Sequence, residues 1–246
     1  MTAPDLAALI RSRQPCVALT GAGVSTESGI PDFRSPTGIW AKYDPMEYAT
    51  IQAFEGDPEK VWSFYALRFH ALAEAEPNDA HRALAELEAH GLVRAVVTQN
   101  IDLLHERAGT RELVEVHGSI RSCICRGCGA TYGLEHVRRL LDGGSAPRCE
   151  ACGTILKPNV VMFGELLPFD AIDRAYTLAR EASLLLVVGS TLEVAPVSLL
   201  PWETVRAGGR VAIVNVGPTA FDDQAVMKVE GKAGQVLSAV AAQLLA

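Results

Sequence analysis

Residues 16–34, CVALTGAGVSTESGIPDFR, constrain the fold more than any other stretch of the 246-residue chain. Cys16 to Leu19 form an apolar run of the length of a buried strand, and it leads directly into Gly21-Ala22-Gly23. Hydroxyl residues follow at Ser25, Thr26 and Ser28, and then Pro31-Asp32-Phe33-Arg34. A strand that feeds a glycine turn and a helix start aims unhindered N–H groups at one point, a geometry that favours phosphate. Glycines at a tight turn also serve simply to turn the chain. The dinucleotide fingerprint G-x-G-x-x-G is broken here, because Thr26 stands at the third glycine and the next glycine is Gly29. The acidic residue expected about twenty positions further on has no good candidate, since 35–50, SPTGIWAKYDPMEYAT, reads as an aromatic-rich loop. A hydride-transferring dehydrogenase is therefore disfavoured.

Further apolar runs alternate with helical patterns. The sequence predicts a helix over Asp5 to Arg11 and a strand over 16–20. A helix is expected from Pro58 to about Ala75, with Trp62, Tyr65, Phe69 and Leu72 on one apolar face and Arg68 three residues beyond Tyr65 on the same side. Another helix, capped by Asn78 or Asp79, runs through Leu84 and Leu87 to Gly91. Strands are expected over Val93 to Val97, Leu113 to Val116, Ala182 to Val188 and Arg210 to Val214, with a weaker one over 226–229. Helices are expected over 102–108, 196–207 and from 233. This is the pattern of an α/β chain, a parallel sheet covered by helices on both faces. Ligands bind such sheets at the carboxyl ends of the strands. Small and polar residues collect at those ends: Gly21 to Gly23, Gln99-Asn100-Asp102, His117, Gly189-Ser190 and Asn215.

Of six cysteines, Cys16 falls in the first strand and the other five lie between Cys123 and Cys152. Cys125-Arg-Gly-Cys128 and Cys149-Glu-Ala-Cys152 are separated by twenty residues, which fits a C-x2-C…C-x2-C zinc knuckle pair. Two knuckles close a tetrahedron of thiolates, and four sulfurs leave no open position, so the metal is expected to be structural. Only Cys125 gives the two-residue spacing to Cys128, which leaves Cys123 as a spare thiol. The segment is too small to bury its own core and reads as a metal-dependent insertion. A net charge of −7 argues against a general nucleic-acid surface. No run approaches the roughly 18 apolar residues of a membrane span. The N-terminus reads as a short amphipathic helix, and a cytoplasmic location is the expectation.

GAGVSTESGIPDFR, TQNID with LHERAG after it, VHGS, the two cysteine pairs, KPNVVMFGE, VVGSTLEVAP and IVNVG occur in one order. Together they resemble the sirtuins, NAD-dependent protein lysine deacylases, from about residue 12 to residue 220. The resemblance implies a Rossmann-like NAD-binding domain over 1–35, 78–120 and 157–246. It also implies a small domain built from a helical insertion, 36–77, and a zinc module, 121–156. The implied cofactor contacts are Gly21, Ala22, Gly23, Thr26, Asp32, Phe33, Arg34, Gln99, Asn100, Ile101, Asp102, Gly189, Ser190, Thr191, Asn215, Val216 and Ala233. His117 is implied as the general base, and the remaining histidines (His70, His81, His90, His105 and His136) are expected to be surface or packing residues. Val161, Met162, Phe163, Gly164 and Glu165 are implied to pair with an acyl-lysine peptide as an added strand. Nicotinamide, O-acyl-ADP-ribose and free lysine would be the products.

Tyr65-Ala66-Leu67-Arg68 is similar to the Y-x-x-R pair by which one sirtuin branch holds succinyl and malonyl carboxylates. Arg68 on an apolar face needs an anion, and Glu59 or Glu74 would serve as well as a substrate. Two other functions compete: ADP-ribosyl transfer or NAD hydrolysis without deacylation, and a zinc-ribbon nucleic-acid binder using Arg121, Arg126, Arg138, Arg139 and Arg148.

Overall fold

The computed structural model describes residues 1–246. Helix α1 (Ala3–Ser12) leads into β1 (Cys16–Thr20), and a 3-10 helix over Ala22–Ser28 takes the place of the α-helix start expected after the glycines. Residues 35–50, expected to be irregular, contain a short 3-10 turn over Ile39–Ala41 and α2 (Pro45–Tyr48). Then come α3 (Ile51–Gly56), α4 (Pro58–Glu74), α5 (Asp79–Ala89), β2 (Ala95–Thr98), α6 (Leu104–Arg107) and β3 (Leu113–Glu115). β4 (Gly118–Ile124), β5 (Thr131–Gly133), α7 (Leu134–Leu141) and β6 (Lys157–Val160) follow. The chain closes with α8 (Phe169–Glu181), β7 (Leu184–Val188), α9 (Leu200–Arg206), β8 (Arg210–Asn215), β9 (Met227–Glu230) and α10 (Ala233–Leu245). No helix is long and apolar enough to cross a membrane.

Six strands form one parallel sheet in the order β3-β2-β1-β7-β8-β9. Successive side chains of a strand point to opposite faces, and each central strand divides its apolar residues accordingly. Cys16 and Ala18, Leu184 and Leu186, and Ala212 and Val214 enter one core, against α1, α5 and α10. Val17 and Leu19, Leu185 and Val187, and Val211 and Ile213 enter the other, against α8 and α9. Burial on both faces explains why these strands read as unbroken apolar runs. Helix α8 went unread in the sequence. Its buried residues are Ala175, Leu178 and Ala179, a narrow stripe of which two are alanines.

The second sheet is antiparallel, β5-β4-β6. It shares a third core with α2–α4 and α7, in which Trp62, Tyr65 and Phe69 of α4 meet Ile120, Leu156, Val160 and Met162. The Trp62 indole donates to the Leu156 carbonyl at 2.7 Å. This sheet begins at Gly118 and ends at Val160, three residues before and four residues after the span 121–156 expected for the zinc module. Gly118 carries φ +70°, and a Cβ there would collide with the Asn159 carbonyl oxygen.

Candidate functional site

The strand order reverses between β1 and β7, and a crevice opens at the carboxyl ends of strands on either side of such a switch. Gly21 N–H donates to Val188 O at 3.0 Å and Gly23 N–H to Gly189 O at 2.8 Å, so the two loops lie backbone on backbone. A Cβ on Gly23 would stand 2.8 Å from the Gly189 Cα, and one on Gly189, whose φ is +62°, 2.5 Å from the Gly23 carbonyl carbon. The floor of the crevice is bare peptide because no side chain fits between these loops. Gly189→Ala is expected to cost on the order of 1–3 kcal/mol of stability, which thermal melting measures.

The loop after β2 is fixed by its neighbours. Gln99 N–H donates to Thr20 O at 3.0 Å, and its side-chain amide donates to Ser190 Oγ at 3.0 Å. Asn100 Nδ2 donates to Ser25 Oγ at 3.0 Å, and Ser25 donates to Asp102 Oδ2 at 2.7 Å. Asp102 Oδ1 also accepts Leu104 N–H at 3.0 Å, at the start of α6.

Behind this loop stand two histidines that the sequence reading placed among surface or packing residues. His81 and His105 are 0% and 2% exposed, with ring centroids 4.8 Å apart. The Asn78 backbone N–H donates to His81 Nδ1 at 3.3 Å, so the ring proton sits on Nε2, which faces Ser25 Oγ at 3.4 Å. His105 Nε2 lies 2.9 Å from Thr20 Oγ1, which in turn donates to Thr98 Oγ1 at 2.8 Å. Together, Thr20, Ser25, Asn78, His81, Thr98 and His105 fix the loop that presents Asn100 and Asp102.

Burial pushes the His81 pKa down to about 4, opposed by the Asp102 carboxylate, and holds His105 well below its ordinary value. Both rings are therefore neutral in the fold, whereas an unfolded histidine titrates near pH 6.5. The stabilisation is full above that value and is lost as pH falls from about 6.5 towards 4, by up to roughly 1.4 kcal/mol per pH unit for each ring. Melting temperatures measured from pH 7.5 to 5 are expected to fall steadily below pH 6.5. A pH-independent melt would contradict the assignment.

His117 sits in the turn between β3 and β4. Its Nδ1 lies 3.0 Å from the Gln99 carbonyl, which can only accept, so Nδ1 carries the proton and Nε2 is a free base. Burial lowers the pKa and the Gln99 bond partly restores it. The imidazole is thus neutral at pH 7 and competent to take a proton.

On the near side, the loop 32–40 closes on itself. Asp32 Oδ1 accepts the N–H groups of Arg34 and Ser35, and the Phe33 ring packs against Trp40 at 5.2 Å. Arg34 Nε bridges to Glu193 at 3.1 Å, joining this loop to the one after β7. Beyond β8, the Asn215 amide donates to the carbonyls of Val216 and Gly217. Ala233 opens α10, whose first turn is capped by Glu27 through a 2.6 Å bond from Gly234 N–H. The structure therefore gathers the residues of 21–34, 99–102, 117 and 189–191 at one end of the sheet, with 215–216 and 233 flanking them.

The segment 161–165 follows β6. Val161 N–H donates to His117 O, and Phe163 pairs with Ala49 and Ile51 on its other side. Tyr65 is buried beside it, and Met162 shares its core. The Arg68 guanidinium lies 3.6 Å from the Phe64 ring centroid and donates to Phe64 O at 2.8 Å, and no carboxylate pairs with it. The acids weighed as its partners are taken, Glu59 by Arg148 and Glu74 by Arg138.

In the small module the four thiol sulfurs of Cys125, Cys128, Cys149 and Cys152 lie within 4.8 Å of one another. Cys125 and Cys152 are 3.4 Å apart, and Cys128 and Cys149 3.5 Å. A tetrahedron of Zn–S bonds of about 2.3 Å has edges of roughly 3.8 Å, so the cluster fits Zn²⁺ with a small adjustment. Cys123 is buried in β4, apart from this set. The Tyr132 hydroxyl lies 3.2 Å from Cys149 Sγ and accepts Glu150 N–H at 2.9 Å, an outer contact of the kind that orients metal ligands.

The sequence profile described as the Sir2 family matches residues 21–196. The chain belongs to the Sir2 family. It is 47% identical over 225 residues to an NAD-dependent protein deacetylase of Sulfurisphaera tokodaii, covering 91% of this chain and 88% of the relative. An NAD-dependent protein deacylase of Pyrococcus abyssi is 44% identical over 238 residues, covering 96% and 95%. A solved Sir2 structure with a p53 peptide and NAD⁺ matches at TM-score 0.91 and 40% identity, covering 99% of this chain and 98% of that one. Another, with deacetylated p53 peptide and 3′-O-acetyl ADP-ribose, matches at TM-score 0.95 and 41% identity with the same coverage. The Sir2 likeness thus takes in both sheets, the large parallel one and the small metal module.

Proposed function

We propose that this chain is an NAD-dependent protein-lysine deacylase. The observation that carries the proposal is the meeting, at one end of the sheet, of the Gly21–Gly23/Gly189 floor with the free Nε2 of His117. NAD is the co-substrate. Gly21, Ala22 and Gly23, with Thr26 and Arg34, would hold its pyrophosphate, and Gly189, Ser190, Thr191, Asn215, Val216 and Ala233 would receive its adenosine end. Asn100, Ile101 and Asp102 shape the nicotinamide pocket with Gln99 beneath, and Asp32 and Phe33 cover it. The acyl-lysine amide oxygen attacks C1′ of the nicotinamide ribose, and nicotinamide leaves with its positive charge neutralised. His117 Nε2 then accepts a ribose hydroxyl proton, and that oxygen attacks the imidate carbon. Water completes the release of lysine, and O-acyl-ADP-ribose departs. A covered site matters because an exposed cation at C1′ would simply be hydrolysed. The test is nicotinamide release measured with and without an acetyl-lysine peptide. Release that requires the peptide supports deacylation, and equal release in its absence favours NAD hydrolysis.

Tyr65 and Arg68 support a second acyl class, since a half-buried guanidinium without a carboxylate can receive one from a succinyl or malonyl group. Activity is expected on both acetyl- and succinyl-lysine peptides. Arg68→Met is expected to lower the succinyl-to-acetyl ratio of kcat/KM by about tenfold, as loss of a charged hydrogen bond of roughly 1.5–3 kcal/mol implies. An unchanged ratio would leave Arg68 to its packing on Phe64.

The nucleic-acid alternative loses four of its five cations, Arg139 alone having no carboxylate partner. Arg121 pairs with Glu106 and Glu115, Arg126 with Glu55, Arg138 with Glu74 and Glu135, and Arg148 with Glu59. These arginines face acids of the same chain, several of them on α3 and α4. The zinc module reads as a clamp on the helical insertion. Six cysteines free of disulfides are in keeping with the cytoplasm.

A further inference from the structure

Lys157 is the one lysine in the core, with its side chain 8% exposed. Burying an ammonium costs several kcal/mol unless it is paired and its protons are satisfied. Here all three find acceptors: Pro158 O at 3.1 Å, Val160 O at 2.9 Å and Glu165 Oε2 at 2.9 Å. The same carboxylate oxygen accepts Met162 N–H at 2.8 Å, and Glu165 N–H returns to Met162 O at 3.0 Å. Lysine and glutamate together staple the chain from β6 into a tight turn, with Gly164 at φ +91°.

The staple determines what the segment can offer a peptide. The N–H groups of Val161, Met162, Phe163 and Glu165 are all spent inside the protein, as are the carbonyls of Met162 and Phe163. The carbonyls of Val161 and Glu165 and both backbone groups of Gly164 remain. The strand expected to pair over its whole length, 161–165, is therefore a short edge with a fixed subset of free groups. Glu165, expected among the substrate contacts, turns its carboxylate inward to Lys157.

We infer that Lys157 is a positioning residue for the acyl-lysine peptide, acting through Glu165 to hold the turn 161–165 in the one arrangement that presents the Val161 and Gly164 backbone. This rests on the deacylase function proposed above. A buried ion pair adds little net stability against an apolar replacement, and its best-attested use is to fix one arrangement.

The test is steady-state kinetics on Lys157→Met, Lys157→Arg, Glu165→Gln and the double variant K157M/E165Q, with an acetyl-lysine peptide. Lys157→Met is expected to raise the peptide KM about tenfold while kcat and the KM for NAD stay within about twofold. Lys157→Arg recovers part of the loss. Removing both partners restores the melting temperature, since no unpaired buried charge is left, but leaves the peptide KM raised. A peptide KM within twofold of wild type in folded Lys157→Met overturns the inference, as does a parallel rise in the KM for NAD. Should Lys157→Met fail to fold, Glu165→Gln is read by the same criteria. A wild-type protein that does not deacylate the peptide at all would instead count against the deacylase function itself.

Discussion

His117→Ala is expected to lower the rate of lysine release by about 10²–10⁴-fold, the range for loss of a positioned general base. NAD affinity should change little, because the side chain's only structural bond is to the Gln99 carbonyl, and that backbone is independently held by Thr20. The two chemical steps should separate. Expulsion of nicotinamide needs the acyl oxygen and not the base, so exchange of labelled nicotinamide into NAD should survive in the variant when acyl peptide is present. Parallel loss of exchange, NAD binding and deacylation would assign His117 a structural role.

Zinc removal is also expected to impair deacylation, by a different route. The metal should be present at one ion per chain, measurable by elemental analysis. Structural zinc supplies about 10–16 kcal/mol to sites of this kind, and Cys125 and Cys149 belong to the same core as Trp62, Tyr65 and Phe69. Losing the metal should loosen α7 and β5, release the Arg126–Glu55 and Arg148–Glu59 pairs, and free α4 from the Leu156 carbonyl. The parallel sheet keeps its own two cores and should stay folded. Mercurial displacement of zinc is therefore expected to cut deacylation to below about a tenth while most far-UV circular dichroism persists. Retained activity in the metal-free chain would contradict this coupling.

What could be read from the sequence was local. The apolar run of Cys16 to Leu19 defines a strand buried on both faces, and Gly21 and Gly23 mark a close backbone approach. The cysteine pairs specify their metal by spacing alone. Groups that depend on distant partners gave no such signal. His81 meets Ser25 across 56 positions and His105 meets Thr20 across 85, and neither spacing has a pattern to search for. The only hint of His81 was its place three residues after the cap Asn78. Lys157 looked like any lysine at a strand start, because its burial is made by the turn eight residues later that returns Glu165 to it. For Arg68, sequence proximity suggested Glu59 and Glu74, but both acids point to arginines of the zinc module.

The most direct measurement is mass spectrometry of the products from NAD and an acetyl-lysine peptide. Equal amounts of nicotinamide, free-lysine peptide and O-acetyl-ADP-ribose are predicted. Free acetate with plain ADP-ribose, or ADP-ribose formed with the peptide still acetylated, would contradict acyl transfer to the ribose hydroxyl that His117 is proposed to deprotonate.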